Sequence, residues 1–315
     1  MFGSAGLVRK SPFSLIEGRV GFGRGWVTGA AGAAVVASIA IVVGGGIVRV
    51  TGSGLGCPDW PTCSGGALAP TGAMGVHAVV EFVNRMLTDV VCVIVGVLIV
   101  VARLQRDAQP QVVRWAWVQF WVIVLNAVVG GMTVLARLNP YLVAAHFLAA
   151  TLLLAAATVT WDLVQRGGSA GGRPPAAIAP GERRLARMLL AGTAVLMVVG
   201  TAVSGTGPHA GDSGEVPRMP FDWTVVTWIH GFFAGAVVVV AVMIWRASSP
   251  GGPLRLRITW MLVILGVQTV VGIVQSVTGL PNAVVVVHML GAALVFIGAI
   301  RIFLETSPLP QPIDS

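Results

Sequence analysis

Residues 44–66 read GGGIVRVTGSGLGCPDWPTCSGG, and residues 77–85 read HAVVEFVNR. The first stretch is the end of an apolar helix that runs through Arg49 into a Thr-Gly-Ser-Gly turn and a loop carrying Cys57 and Cys63. The second opens another apolar helix and brings His77, Glu81, Asn84 and Arg85 into its first turns. Two long apolar helices joined by a polar loop read as two crossings of a bilayer, and ionisable residues at the mouth of such a helix need a functional reason.

Working outward, the composition agrees. The chain has 315 residues, of which 56% are hydrophobic and only 10% charged, outside the range of a soluble domain. A bilayer core takes about 20 apolar residues per helix. That template fits eight times, at 26–48, 77–102, 113–135, 141–164, 185–204, 224–246, 257–277 and 282–304. The expected fold is an all-α integral membrane protein. Residues 1–25 read as a cytoplasmic tail without a signal-peptide core, 26–164 as a four-helix half, 165–184 as a Gly-, Pro- and Arg-rich linker, 185–304 as a second four-helix half, and 305–315 as a tail.

The net charge of +8 does not point to nucleic acid, because the basic residues alternate with the helices instead of forming one patch. With the N-terminus inside, 16 of the 20 Lys and Arg residues fall on one side, and only Arg49, Arg85, Arg137 and Arg218 on the other. The positive-inside rule then puts both termini in the cytoplasm and the cysteine loop outside. On that oxidising face a Cys57–Cys63 disulfide can persist. Two unlinked thiols are the alternative, and zinc would want more ligands than the loop offers. Cys92, within the second apolar helix, reads as a small core residue.

Sliding the sequence by 142 residues lays VVGGMTVLARLNPYLVAAHFLAATL (128–152) over VVGIVQSVTGLPNAVVVVHMLGAAL (270–294) without a gap, with His146 over His288. The opening helices agree more loosely, VTGSG at 50–54 matching VSGTG at 203–207. Four helices is an even number, so the halves share one orientation, and a pseudo-twofold axis along the membrane normal is expected.

The even-numbered helices all start on the outer side, and four of the five histidines sit near those starts: His77, His146, His230 and His288. One such histidine alone is usually an interfacial residue satisfied by water. Repetition at one depth in both halves instead suggests imidazoles that face each other and hold a heme iron, one site per half. His77, Glu81, Asn84 and Arg85 share one helix face by their spacing. The polar face reads either as an ion pair, Glu81 with Arg85 or Arg85 with Asp89, or with Glu81 as a carboxylate held near a bound substrate, and the second half has no counterpart to Glu81.

The segment from Gly45 to Cys63, the Glu-x-x-Asn-Arg helix start and the later histidines resemble the heme A synthase family, which converts heme O to heme A for cytochrome oxidase. The resemblance implies stepwise oxidation of one porphyrin methyl group, through an alcohol, to a formyl group. It implies heme b as resident cofactor, with His230 and His288 as axial ligands, and heme O as substrate, entering from the membrane lipid to a first-half site framed by His146. It further implies Glu81 as the essential carboxylate, Cys57 and Cys63 as the outer-loop pair, and Arg49 and Arg85 as partners for propionates or for Glu81. Heme O synthase and an electron donor are the implied partners, and a bacterial plasma membrane the expected location.

Two departures stand out. Many members carry histidine where this chain has Asn84, so His77 is a candidate replacement ligand, the alternative being a substrate heme with His146 as its one protein ligand. Some members also carry a second outer cysteine pair, and loop 205–223 has none. A b-type electron-transfer cytochrome explains the histidines but gives Glu81 no task; a transporter built from parallel repeats predicts polar groups near mid-membrane, whereas these gather at the outer mouth.

Overall fold

A computed structural model describes residues 21–106, 109–167 and 179–307. Most of the expected N-terminal tail, residues 168–178 of the linker and residues 308–315 of the C-terminal tail lie outside the described residues. Eight long helices account for most of the described residues: α1 (Arg24–Val50), α2 (Gly75–Arg103), α3 (Pro110–Leu135), α4 (Pro140–Arg166), α5 (Pro180–Thr206), α6 (Trp223–Ala247), α7 (Pro253–Val277) and α8 (Asn282–Glu305). All eight are long and apolar enough to cross a membrane.

The helices overrun the apolar template at their ends. Four of them, α3, α4, α5 and α7, carry proline at the first turn, where the missing N–H has no helical partner to lose. Thus α5 begins at Pro180, five residues before its apolar core at 185. Side chains finish two starts: Asn139 Oδ1 accepts from the Tyr141 N–H (3.1 Å), and Asp222 Oδ1 accepts from the Val225 N–H (2.9 Å).

Many large apolar side chains point outward, with Trp228 77% and Phe232 73% exposed, and small residues line the interior face of α1. Along α1 the buried stripe is Val27, Ala31, Ala34, Ala37, Ser38, Val42, Gly46 and Val50. That inversion suits a bilayer, where lipid is as apolar as leucine and helices associate by close backbone approach. Cys92 is half-buried against the core cluster of the first four helices.

Each set of four closes on itself: α1 packs on α2 and α4, and α3 on α2 and α4; α5 packs on α6 and α8, and α7 on α6 and α8. Between the sets, α1 meets α8, α4 meets α5, and α4 meets α8. Val42, Ala150, Leu154, Met197, Ala293, Phe296 and Ile300 form the apolar seam, and Met289 of α8 lies over Gly46 of α1.

The 142-residue repeat is visible in backbone detail. Arg137 and Leu138 have φ of 51° and 57°, and their counterparts Gly279 and Leu280 have 75° and 60°. In both turns the leucine N–H reaches back to an equivalent carbonyl, Leu138 to Thr133 (2.9 Å) and Leu280 to Gln275 (2.8 Å). These turns aim the histidine-bearing helices α4 and α8 back into the bundle.

At the end away from the cysteine loop, Asp162 of α4 pairs with Arg166 (2.5 Å) and with Arg257 of α7 (3.7 Å), and Arg257 with Glu305 of α8 (3.2 Å). This network, buried at Asp162 and half-buried at its other members, ties the two sets together there. The sequence reading used those arginines only to orient the chain; the carboxylates' partners were not foreseen.

Candidate functional site

The loop from Thr51 to Gly66 folds over one end of the first four helices, the end opposite the Asp162 network. Cys57 and Cys63 form a disulfide, fully buried. Glu81, only 5% exposed, holds this loop from below: its Oε2 accepts from the Cys57 N–H (2.7 Å), and its Oε1 accepts from Arg85 Nε and Nη2 (3.1 and 2.5 Å). Arg85 also donates to the carbonyls of Cys57 (2.9 Å), Asp59 (3.0 Å) and Thr62 (3.0 Å). A carboxylate and a guanidinium removed from water are tolerated when each is paired and its remaining donors and acceptors are met, as here. Of the two sequence readings of Glu81, the ion pair with Arg85 is present.

Trp60 lays its indole on Gly131 of α3, so the loop also reaches the α3–α4 side. Towards the second set, the Gly54 N–H donates to the Gly211 carbonyl (2.7 Å), and Arg49 Nη2 donates to the Ser204 carbonyl (2.6 Å). Arg49 Nε is buried without a partner.

Beneath this cap, each odd-numbered helix presents a glycine to one polar side chain of the following helix. Gly44 faces Asn84, Gly130 faces His146, Gly200 faces His230 and Gly272 faces His288. A Cβ on Gly130 would lie 2.7 Å from His146 Cε1, and one on Gly44 would lie 2.6 Å from Asn84 Oδ1. An imidazole lodged between two helices needs that missing side chain. The fourth member of the set is therefore Asn84, not His77. His77 is exposed, two turns further out, and its Nδ1 shares a hydrogen bond with Ser53 Oγ (3.0 Å) at the base of the loop.

His230 and His288 face each other with ring centroids 6.3 Å apart and planes at 63°. Two imidazoles sharing one metal, each with a ring nitrogen about 2.0–2.1 Å from it, place their centroids about 6 Å apart. Both Nδ1 atoms are buried without partners. The residues present fit a heme held by two histidines.

In the first set His146 has a polar neighbour. The surrounding hydrogen bonds orient the Asn126 amide so that its nitrogen donates to His146 Nδ1 (2.9 Å) and its oxygen accepts from the Ala150 N–H (3.2 Å). Nothing in the sequence singled out Asn126; the repeat, which pairs it with Gln268, was the available signal. In loop 205–223, Asp222 caps α6, Asp212 accepts from the Gly214 N–H (2.8 Å), and His209 Nε2 shares a hydrogen bond with Asn282 Oδ1 (2.8 Å).

The family model described as cytochrome oxidase assembly protein matches residues 29–300. The heme A synthase of Geobacillus thermodenitrificans is 31% identical over 113 residues, which is 36% of this chain and 34% of that protein. That of Listeria monocytogenes is 29% identical over 114 residues, 36% of this chain and 37% of that protein. That of Lysinibacillus sphaericus is 31% identical over 116 residues, with the same 36% and 37% shares. The chain thus aligns with about a third of the length of each relative.

Proposed function

The chain belongs to the cytochrome oxidase assembly protein family, and from that premise we propose that it oxidises the methyl group of heme O stepwise to the formyl group of heme A. The observation that carries this reading is the inequality of the two histidine levels. In the second half two imidazoles face each other at 6.3 Å; in the first half His146 shares its level with the amide of Asn84. An amide is a poor iron ligand, so a heme in the first half has one strong protein ligand and one open face.

In this reading His230 and His288 hold a resident heme b, which supplies one-electron transfer when bound. His146 holds the iron of heme O, whose isoprenoid chain stays in the lipid. Glu81 is fixed in direction by the Cys57 N–H and Arg85, above the first-half site, where a carboxylate can accept a proton or orient water as the methyl group reacts. The disulfide loop excludes outside water from that site. Arg49, with Nε free and its plane tied to Ser204, suits a propionate by its paired donors. The buried outer disulfide and the distribution of arginines support a bacterial plasma membrane with both termini cytoplasmic; heme O synthase and an electron donor are the expected partners.

The test is heme extraction and chromatography from cells that make heme O, comparing the chain with Glu81→Ala and His146→Ala. The expected result is heme A or its alcohol intermediate with the unaltered chain and only heme O with the variants. Heme B alone in every sample, with heme O unchanged, would refute the reading and leave an electron-transfer cytochrome.

A further inference from the structure

We infer that Asn126 sets the tautomer of His146 and thereby makes iron ligation in the first half reversible, a device that the second half lacks. This rests on the reading of His146 as ligand to a heme that must leave after reaction. With the amide nitrogen donating to Nδ1 (2.9 Å) and to the His146 carbonyl (3.3 Å), and the amide oxygen accepting from the Ala150 N–H (3.2 Å), Nδ1 is an acceptor. A neutral imidazole has one N–H and one lone pair, so the proton is then on Nε2, the nitrogen that a metal needs bare. To ligate through Nε2, His146 must move its proton to Nδ1, and the amide must turn so that its oxygen accepts from that N–H. The turn gives up both backbone contacts on α4. Iron ligation and the resting amide orientation are therefore mutually exclusive, with no change in net charge.

The second half shows the contrast. The repeat counterpart of Asn126 is Gln268, and the counterpart of Ala149 is Gly291. The Gln268 side chain occupies the place of a Gly291 Cβ, while His288 Nδ1 has no partner. Nothing there opposes the ligating tautomer, as a permanently held cofactor requires. Residues behind a metal-bound histidine commonly change metal affinity by about 10- to 100-fold, so a substrate site and a cofactor site can be built on one repeat by this single difference.

The experiment uses the full-length protein and two variants. In Asn126→Asp the carboxylate can only accept, which favours Nδ1–H; Asn126→Leu removes both donor and acceptor and keeps the test alive if a buried aspartate prevents folding. The first readout is the nitrogen spectrum of labelled histidines after first-half heme has been drawn off by apomyoglobin. His146 is expected as the Nε2–H tautomer in the unaltered chain, as Nδ1–H in Asn126→Asp, and without a fixed preference in Asn126→Leu. The second is the rate of heme transfer to apomyoglobin, expected to slow by about 10- to 100-fold in Asn126→Asp. An Nδ1–H tautomer already present in the unaltered chain, or equal transfer rates in all three proteins, overturns the inference. The tautomer pattern appearing in a protein that never takes up heme O would uphold the switch and sink the substrate assignment instead.

Discussion

Replacing Gly130 by alanine places a methyl carbon 2.7 Å from His146 Cε1, whereas the same change at the repeat-equivalent Gly272 leaves 3.8 Å to His288 Cε1. Carbon contacts are comfortable from about 3.5 Å, so the His146 ring must move by about 0.8 Å while His288 need not move at all. Alanine is otherwise favoured over glycine inside a helix by about 0.5–1 kcal/mol, and overpacking costs about 1–3 kcal/mol. Gly272→Ala should therefore be neutral or slightly stabilising and keep its heme. Gly130→Ala should lose up to about 2.5 kcal/mol net by the same two terms, and its displaced ring should weaken first-half heme retention about 10-fold or more. The assay is heme content per chain after purification, together with thermal unfolding in detergent. Equal heme loss in both variants, or loss in Gly272→Ala alone, would refute the claim that Gly130, and not Gly272, makes room for its imidazole.

Asn84→His should give the first half a second imidazole on the level of His146, turning its bound heme six-coordinate and low-spin; an unchanged optical and EPR spectrum would mean that Asn84 is not at the ligand position. Arg85→Ala removes the partner of Glu81 and leaves the Cys57, Asp59 and Thr62 carbonyls without their donor, so about 3–5 kcal/mol of destabilisation is expected. Proteolytic nicking within 51–66 checks it. Asp162→Asn leaves Arg166 and Arg257 with Glu305 alone as carboxylate partner and should lower thermal stability while sparing heme content; a matching loss of heme would show that the network supports the site directly.

The eight spans, the order of polar loops and the repeat were legible in the amino-acid order because each is a local sum. Hydropathy over about 20 residues reports a bilayer crossing whatever the neighbours do, and the 142-residue offset is a property of the string alone. The histidines 146, 230 and 288 stood out for the same reason, and so did the cysteine pair.

Partner choice was not legible, because it depends on how far each helix is rotated and how deep it sits. His77 and Asn84 share one face of α2, and only packing against α1 shows that Gly44 meets Asn84 while the loop claims His77. The Glu81–Arg85 pair could be read from spacing, but not that the loop folds back to offer Glu81 the Cys57 N–H. Asn126 and Asp162 lie in different helices from the groups they engage, His146 of α4 for the first and Arg257 of α7 for the second. Spacing along one chain cannot report such contacts, since an interhelical pair forms where two surfaces happen to coincide in space.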